Sequence, residues 1–201
     1  MIVLAVGCAG NATSGESGDQ SATAGTLALP TVAARVAGGA RLQVLATTST
    51  IGDVVRQVGG DAIDLVVLMQ LGQDPHSYQP GAADLTAAAD ADVIFINGWN
   101  LEEALVGDLT TIGREAVIVP ISAGVAPREL ATDSHAEDEE SHDHGPADPH
   151  VWQDVANVIQ WVDNVRQVLS AADPANAATY EANAGRYRAA LEQLDAELRA
   201  S

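Results

Sequence analysis

The tripeptide Asp-Pro-His occurs twice in this chain, at Asp74–His76 within "QDPHSYQP" and at Asp148–His150 within "ADPHVWQD". An aromatic residue follows each histidine two positions on, Tyr78 in the first copy and Trp152 in the second. The chain has five histidines, and the other three, His135, His142 and His144, lie just before the second copy. A neutral imidazole is a good ligand for Zn²⁺ and other borderline metals. The proline fixes one backbone torsion ahead of each histidine, which limits the entropy lost on ligation. The nearby carboxylate can orient the ring. The plainer alternative is that each Asp-Pro only starts a turn, with the histidine incidental. Repetition in a histidine-poor chain favours ligation, so His76 and His150 are candidate metal ligands.

The stretch "TDSHAEDEESHDHG" carries three histidines and six acids between Asp133 and His144. It has no hydrophobic period and reads as disordered. Mixed imidazole and carboxylate can bind divalent metal weakly and exchange it quickly. His135, His142 and His144 are therefore expected to form an accessory metal loop over residues 131–147. The competing reading is a solvated surface loop with no role.

Other chemistry is thin. There is no glycine-rich phosphate loop, nucleophile elbow, paired-cysteine zinc motif or His-Glu-x-x-His. The formal net charge is −19, from 28 acids against nine basic residues, all arginine. Such a chain has no general basic field for nucleic acid or anionic headgroups, and it attracts cations instead.

The elements that must position the histidines follow from hydrophobic patterning. "LQVLAT" (42–47), "AIDLVVLM" (62–69), "ADVIFIN" (91–97) and "EAVIVP" (115–120) read as four nearly all-apolar strands. Between them lie helices from Ser49 or Thr50 to Val58, over 82–89 and over 101–106. Apolar strands alternating with helices predict a mostly parallel four-stranded sheet covered on both faces, an α/β lobe. His76 falls in the loop after the second strand, at the carboxyl edge where such sheets bind ligands. Beyond His150, Val155, Val158, Ile159, Val162, Val165 and Leu169 keep one apolar helical face. Asp173-Pro174 starts another helix, whose stripe from Tyr180 to Leu198 is still running at Ser201. That predicts a chain continuing past the last residue.

The first eight residues, "MIVLAVGC", are apolar and too short to span a membrane. They read as a signal remnant ending in a lipobox-like Ala-Val-Gly-Cys, with Cys8 as the lipidation site. The alternative is an apolar N-terminus with a buried cysteine. Residues 9–40, rich in Gly, Ala, Ser and Thr, read as a flexible tether.

Four segments in this order resemble a known family: "VLATTSTIGDVVRQVGGD", "LMQLGQDPHSYQP", "DLTAAADADVIFINGWNLEEAL" and "DPHVWQDVANV". They are similar to the zinc/manganese solute-binding proteins of bacterial ABC transporters, the cluster A-I metal-binding lipoproteins, over about residues 42–201. One position departs from the family's common His-x-Trp-x-Asp-Pro, with Val155 in place of the proline. The resemblance implies two α/β lobes joined by a long helix, here the one beginning near Pro174, with metal held between them. His76 and His150 match the two ligands of the first lobe, and the other ligands would come from a second lobe this sequence does not include. The expected organisation is a lobe over 41–152 followed by helices over 153–201. The His-rich stretch is typical of the zinc-type branch. The implied function is an extracytoplasmic, lipid-anchored or periplasmic receptor delivering Zn²⁺, or Mn²⁺, to an ABC permease, with no bond made or broken. The alternatives are a metal-binding surface adhesin or zinc buffer, and a zinc-dependent hydrolase for which no general base can be named.

Overall fold

The computed structural model describes residues 26–37, 39–113, 115–126, 128 and 147–201. Strands β1 (Leu42–Ala46), β2 (Ile63–Val67), β3 (Val93–Ile96) and β4 (Val117–Pro120) form one sheet in the order β2-β1-β3-β4. Every pairing is parallel; Leu45 faces Val66 on one side and Ile94 on the other. Among the described residues the α-helices are α1 (Ser49–Gly59), α2 (Ala82–Asp90), α3 (Glu103–Ile112), α4 (Val155–Ala172) and α5 (Ala177–Ala200).

Alternation along the strands explains why helices cover both faces. Val44, Ala46, Val93 and Phe95 join Val54, Val55, Trp161, Val165 and Tyr180 in a core beneath α1, α4 and α5. Leu45, Ile94 and Ile96 point the other way, onto Ala88, Leu105 and Leu109 of α2 and α3. Polar side chains fasten α5 to this body. Tyr180 donates to Asp173 Oδ2 at 2.8 Å, Asn183 to the Val58 carbonyl at 2.8 Å and Tyr187 to Asp53 at 3.1 Å. Beyond these anchors Leu194 and Leu198 are 44% and 57% exposed, so the far end of the apolar stripe has no cover among the described residues.

Several boundaries differ from the sequence expectation. Thr48, one residue ahead of the expected caps, closes α1 by accepting the Ile51 N–H at 3.3 Å. Helix α3 starts two residues late because Trp99 and Asn100 adopt left-handed φ of 55° and 58°. The tight turn they make lets the Leu101 N–H donate to the Gly98 carbonyl. The helix then runs to Ile112, well past Val106. Asp154 caps α4 through Ala156 N at 2.9 Å, so Val155 opens that helix without needing proline. Asp173-Pro174 begins a single 3₁₀ turn, and α5 follows at Ala177.

The tether expected over 9–40 is also corrected at its end. Residues 26–37 lie along the body, with Leu27, Leu29, Val32 and Val36 packed on the larger core. Backbone bonds from Gly124 N to Leu27 O at 2.9 Å and from Arg35 N to Ala172 O at 2.7 Å hold them there. Four aliphatic side chains with no regular period gave no strand or helix signal, yet they contribute burial. Cys8 and residues 9–25 lie outside the described residues, as do His135, His142, His144 and the rest of 129–146.

Candidate metal centre

The sheet order changes direction between β1 and β3, since β2 is added on one side of β1 and β3 and β4 on the other. Ligands of open α/β sheets bind in the crevice beyond the carboxyl ends at such a point. Both Asp-Pro-His copies are delivered there, His76 by the loop after β2 and His150 by the segment ahead of α4. They are 74 positions apart in sequence, and their ring centroids are 5.8 Å apart with planes inclined at 67°. Two imidazoles on one tetrahedral zinc, with Zn–N of about 2.0–2.1 Å, would place their centroids roughly 5 Å apart. The observed spacing is within about 1 Å of that value.

The repeated tripeptide makes the same local turn twice. Asp74 Oδ1 accepts the His76 N–H at 3.0 Å, and Asp148 Oδ1 accepts the His150 N–H at 2.9 Å. An aspartate bonding the backbone two residues on mimics a tight turn. In the first loop Ser77 also donates to Asp74, while Tyr78 donates to Asp84 at 2.8 Å and so ties the loop to α2. Burial, aided by the Asp84 charge, raises the Tyr78 phenol to about 12, so it stays a donor.

At the second copy the carboxylate does a further job. The His150 backbone N–H is the main cause holding Asp148 below the usual carboxylate range; partial burial opposes it, and the His150 ring and the Arg128 charge reinforce it. Ionised, Asp148 can only accept. Its Oδ1 lies 2.8 Å from His150 Nδ1, so neutral His150 carries its proton on Nδ1 and keeps the Nε2 lone pair for a metal. Trp152 lies edge-on to His150, with centroids 5.3 Å apart, and Trp161 lies 6.4 Å beyond Trp152. A cleft of about 570 Å³ opens beside His150, bounded by Asp148, Asp154, Asn157, Asp195 and Leu198. Among the described residues no group of three or more His, Cys, Asp or Glu forms that could hold a metal. The described residues thus bring two imidazoles together, one of them oriented by Asp148. Asp148→Ala is expected to weaken zinc binding about 10–100-fold by freeing the ring; competition against a fluorescent chelator reads the change.

Sequence reasoning missed the residues under the site. Glu102 is 1% exposed and bridges β1 to β3 at the switch point. Its Oε1 accepts Thr47 Oγ1 at 2.6 Å and the Asn97 backbone N–H at 2.8 Å. Burial raises its carboxyl above the ordinary 4.5, against the pull of these hydrogen bonds. Between its ordinary value and its folded value, the folded protein therefore holds a proton that the unfolded chain has released. This contribution to stability is fully present below pH 4.5 and declines as pH rises toward the folded value. Glu102→Gln removes the decline. Its melting temperature should match the parent below pH 4.5 and exceed it increasingly as pH rises from there toward the folded value.

Fold and site together define an α/β lobe with a histidine pair at its switch-point crevice. The chain belongs to the family described as zinc-uptake complex component A, periplasmic, whose model it matches over residues 44–201. It is 37% identical over 163 residues to the iron ABC transporter substrate-binding lipoprotein MtsA of Streptococcus pyogenes, covering 78% of this chain and 50% of that protein. It is 36% identical over 167 residues to the manganese ABC transporter substrate-binding lipoprotein PsaA of Streptococcus mitis, covering 80% and 52%. Among solved structures, the Mn-bound periplasmic metal binding protein of Candidatus Liberibacter asiaticus superposes with a TM-score of 0.64 at 32% identity, covering 74% of this chain and 52% of that one. A zinc-bound deletion mutant of ZnuA gives 0.70 over 79% and 57%, at 24% identity, a likeness of fold alone. The chain spans about half the length of the curated relatives it matches.

Proposed function

We propose that this chain is the metal-capturing lobe of an extracytoplasmic solute-binding protein that passes a divalent cation to an ABC permease. The observation that carries the proposal is the His76–His150 pair, at 5.8 Å, with the His150 tautomer set by Asp148. The ion is cargo, and no bond is made or broken. The remaining ligands come from a second lobe of the kind the family resemblance implies. Residues 1–8 form a signal remnant with Cys8 lipidated, the tether that follows ends before the packed segment at residue 26, and 131–147 serve as a collecting loop through His135, His142 and His144.

Zinc is the proposed cargo. Imidazole suits Zn²⁺, whereas Mn²⁺ prefers more oxygen. Relatives named for iron and manganese keep Mn²⁺ as the second reading. Raw affinity does not decide between them, because N/O sites generally bind zinc above manganese. The deciding experiment is uptake of radioactive zinc and radioactive manganese by cells of the source organism with the gene deleted. Loss of zinc uptake at scarce zinc, with manganese uptake intact, is the expected result. The reverse pattern assigns manganese. No change in either overturns the transport reading and leaves a surface buffer or adhesin.

A further inference from the structure

The peptide group joining Pro149 to His150 is held at both ends. Its N–H donates to Asp148 Oδ1 at 2.9 Å, and its carbonyl accepts Asn97 Nδ2 at 2.9 Å. A peptide unit is planar, so fixing both ends fixes the plane from which the His150 side chain departs. Asn97 follows the last residue of β3 and is fully buried. Its amide orientation is dictated by its neighbours: Nδ2 faces two carbonyl oxygens, those of Pro149 and Gly98, each at 2.9 Å. Its own backbone is held in turn. The Asn97 N–H donates to buried Glu102, which Thr47 also bonds, and the Asn97 carbonyl accepts the Ser122 N–H at 3.3 Å. Beyond it the chain passes through the left-handed pair Trp99 and Asn100, an uncommon conformation for bulky side chains. That turn is what returns Glu102 to Asn97.

We infer that Asn97 is a positioning residue for His150, and that Glu102 and Thr47 act through it. The role assigned to His150 rests on the metal-capture reading, but the geometric effect does not require metal. In this account β1 and β3 set the ligand's place directly, through Thr47, Glu102, Asn97 and the Pro149 carbonyl. The loop ahead of His150 is thereby anchored to the rigid sheet.

The test compares Asn97→Asp with Asn164→Leu in the whole chain. Asp keeps the shape of Asn but sets an oxygen against the Pro149 and Gly98 carbonyls. Asn164 is the comparison, a second buried carboxamide, which donates to the Ile121 and Ala123 carbonyls at 2.7 and 2.8 Å rather than to the Pro149 carbonyl. The first readout is the long-range ¹H–¹⁵N spectrum of the His150 ring in metal-free protein. The parent and Asn164→Leu should show the Nδ1-protonated form, and Asn97→Asp a mixture of tautomers. The second is zinc affinity, expected to fall about 10-fold in Asn97→Asp and to hold in Asn164→Leu. If the aspartate variant does not fold, Asn97→Leu is read in the same way. His150 signals in the Asn97 variant identical to those of Asn164→Leu overturn the inference. A His76→Ala variant that binds zinc as tightly as the parent, while Asn97→Asp still shifts the His150 signals, overturns the metal-capture reading and leaves the positioning role standing.

Discussion

Replacing His150 by alanine is expected to weaken zinc binding by at least about 100-fold, and His76→Ala by a similar factor. The size follows from what remains. Losing an outer partner of a ligand costs about 10–100-fold, and losing the ligand itself also removes a metal–nitrogen bond. Each variant leaves one imidazole of the pair. Water or a mobile carboxylate must then fill the vacated position, at a cost in order and in ligand strength. The two substitutions should be strongly non-additive, because the first already destroys the two-point grip. Isothermal titration checks the claim, with circular dichroism confirming that the fold survives. Near-parent affinity in both variants would mean that the histidine pair does not hold the metal.

Trp161→Ala is expected to cost about 3–5 kcal/mol of stability, a large part of the roughly 5–15 kcal/mol typical of a domain. Trp161 is fully buried on α4 and lies in the core cluster with Phe95, Val119 and Tyr180. Truncation opens a cavity in the core shared by the sheet, α4 and α5, which the surrounding packed side chains fill only in part. Trp161→Phe should cost much less. It keeps an aromatic filler and removes an indole Nε1 that is buried with no hydrogen-bond partner among the described residues, so part of the lost packing is offset by ending that desolvation. Urea denaturation of the three proteins distinguishes these cases. Equal costs for alanine and phenylalanine would contradict this view of the core.

The sheet was legible because its strands are nearly unbroken aliphatic runs, the pattern of strands buried on both faces. The two helical layers follow from alternation of side chains such as Val44, Leu45 and Ala46, whereas the strand order is set by pairing that no local pattern encodes. The two Asp-Pro-His copies were legible for another reason: a rare residue type, repeated with its neighbours, stands out against an alanine- and acid-rich background. Glu102 did not stand out, being one of 28 acids, and nothing in its neighbours marks it as buried. Asn97 carried the same ambiguity, since Asn before Gly reads as an ordinary turn. Leu27, Leu29, Val32 and Val36 were hidden because an extended segment pressed on a finished core needs no period of its own. In each case tertiary contact, which local pattern does not encode, decides the outcome.

The row formed by His150, Trp152 and Trp161 has a practical consequence. Trp152 lies 5.3 Å from the imidazole and 6.4 Å from the second indole. A cation arriving at His150 changes the electric field felt by the nearer indole, and the farther one, sealed in the core, lies next to it. On the metal-capture proposal the molecule would carry its own optical gauge of occupancy, in the intrinsic emission of residues already in place. Loading and unloading would then be followed in real time without attaching a dye to a surface that has no lysine to receive one.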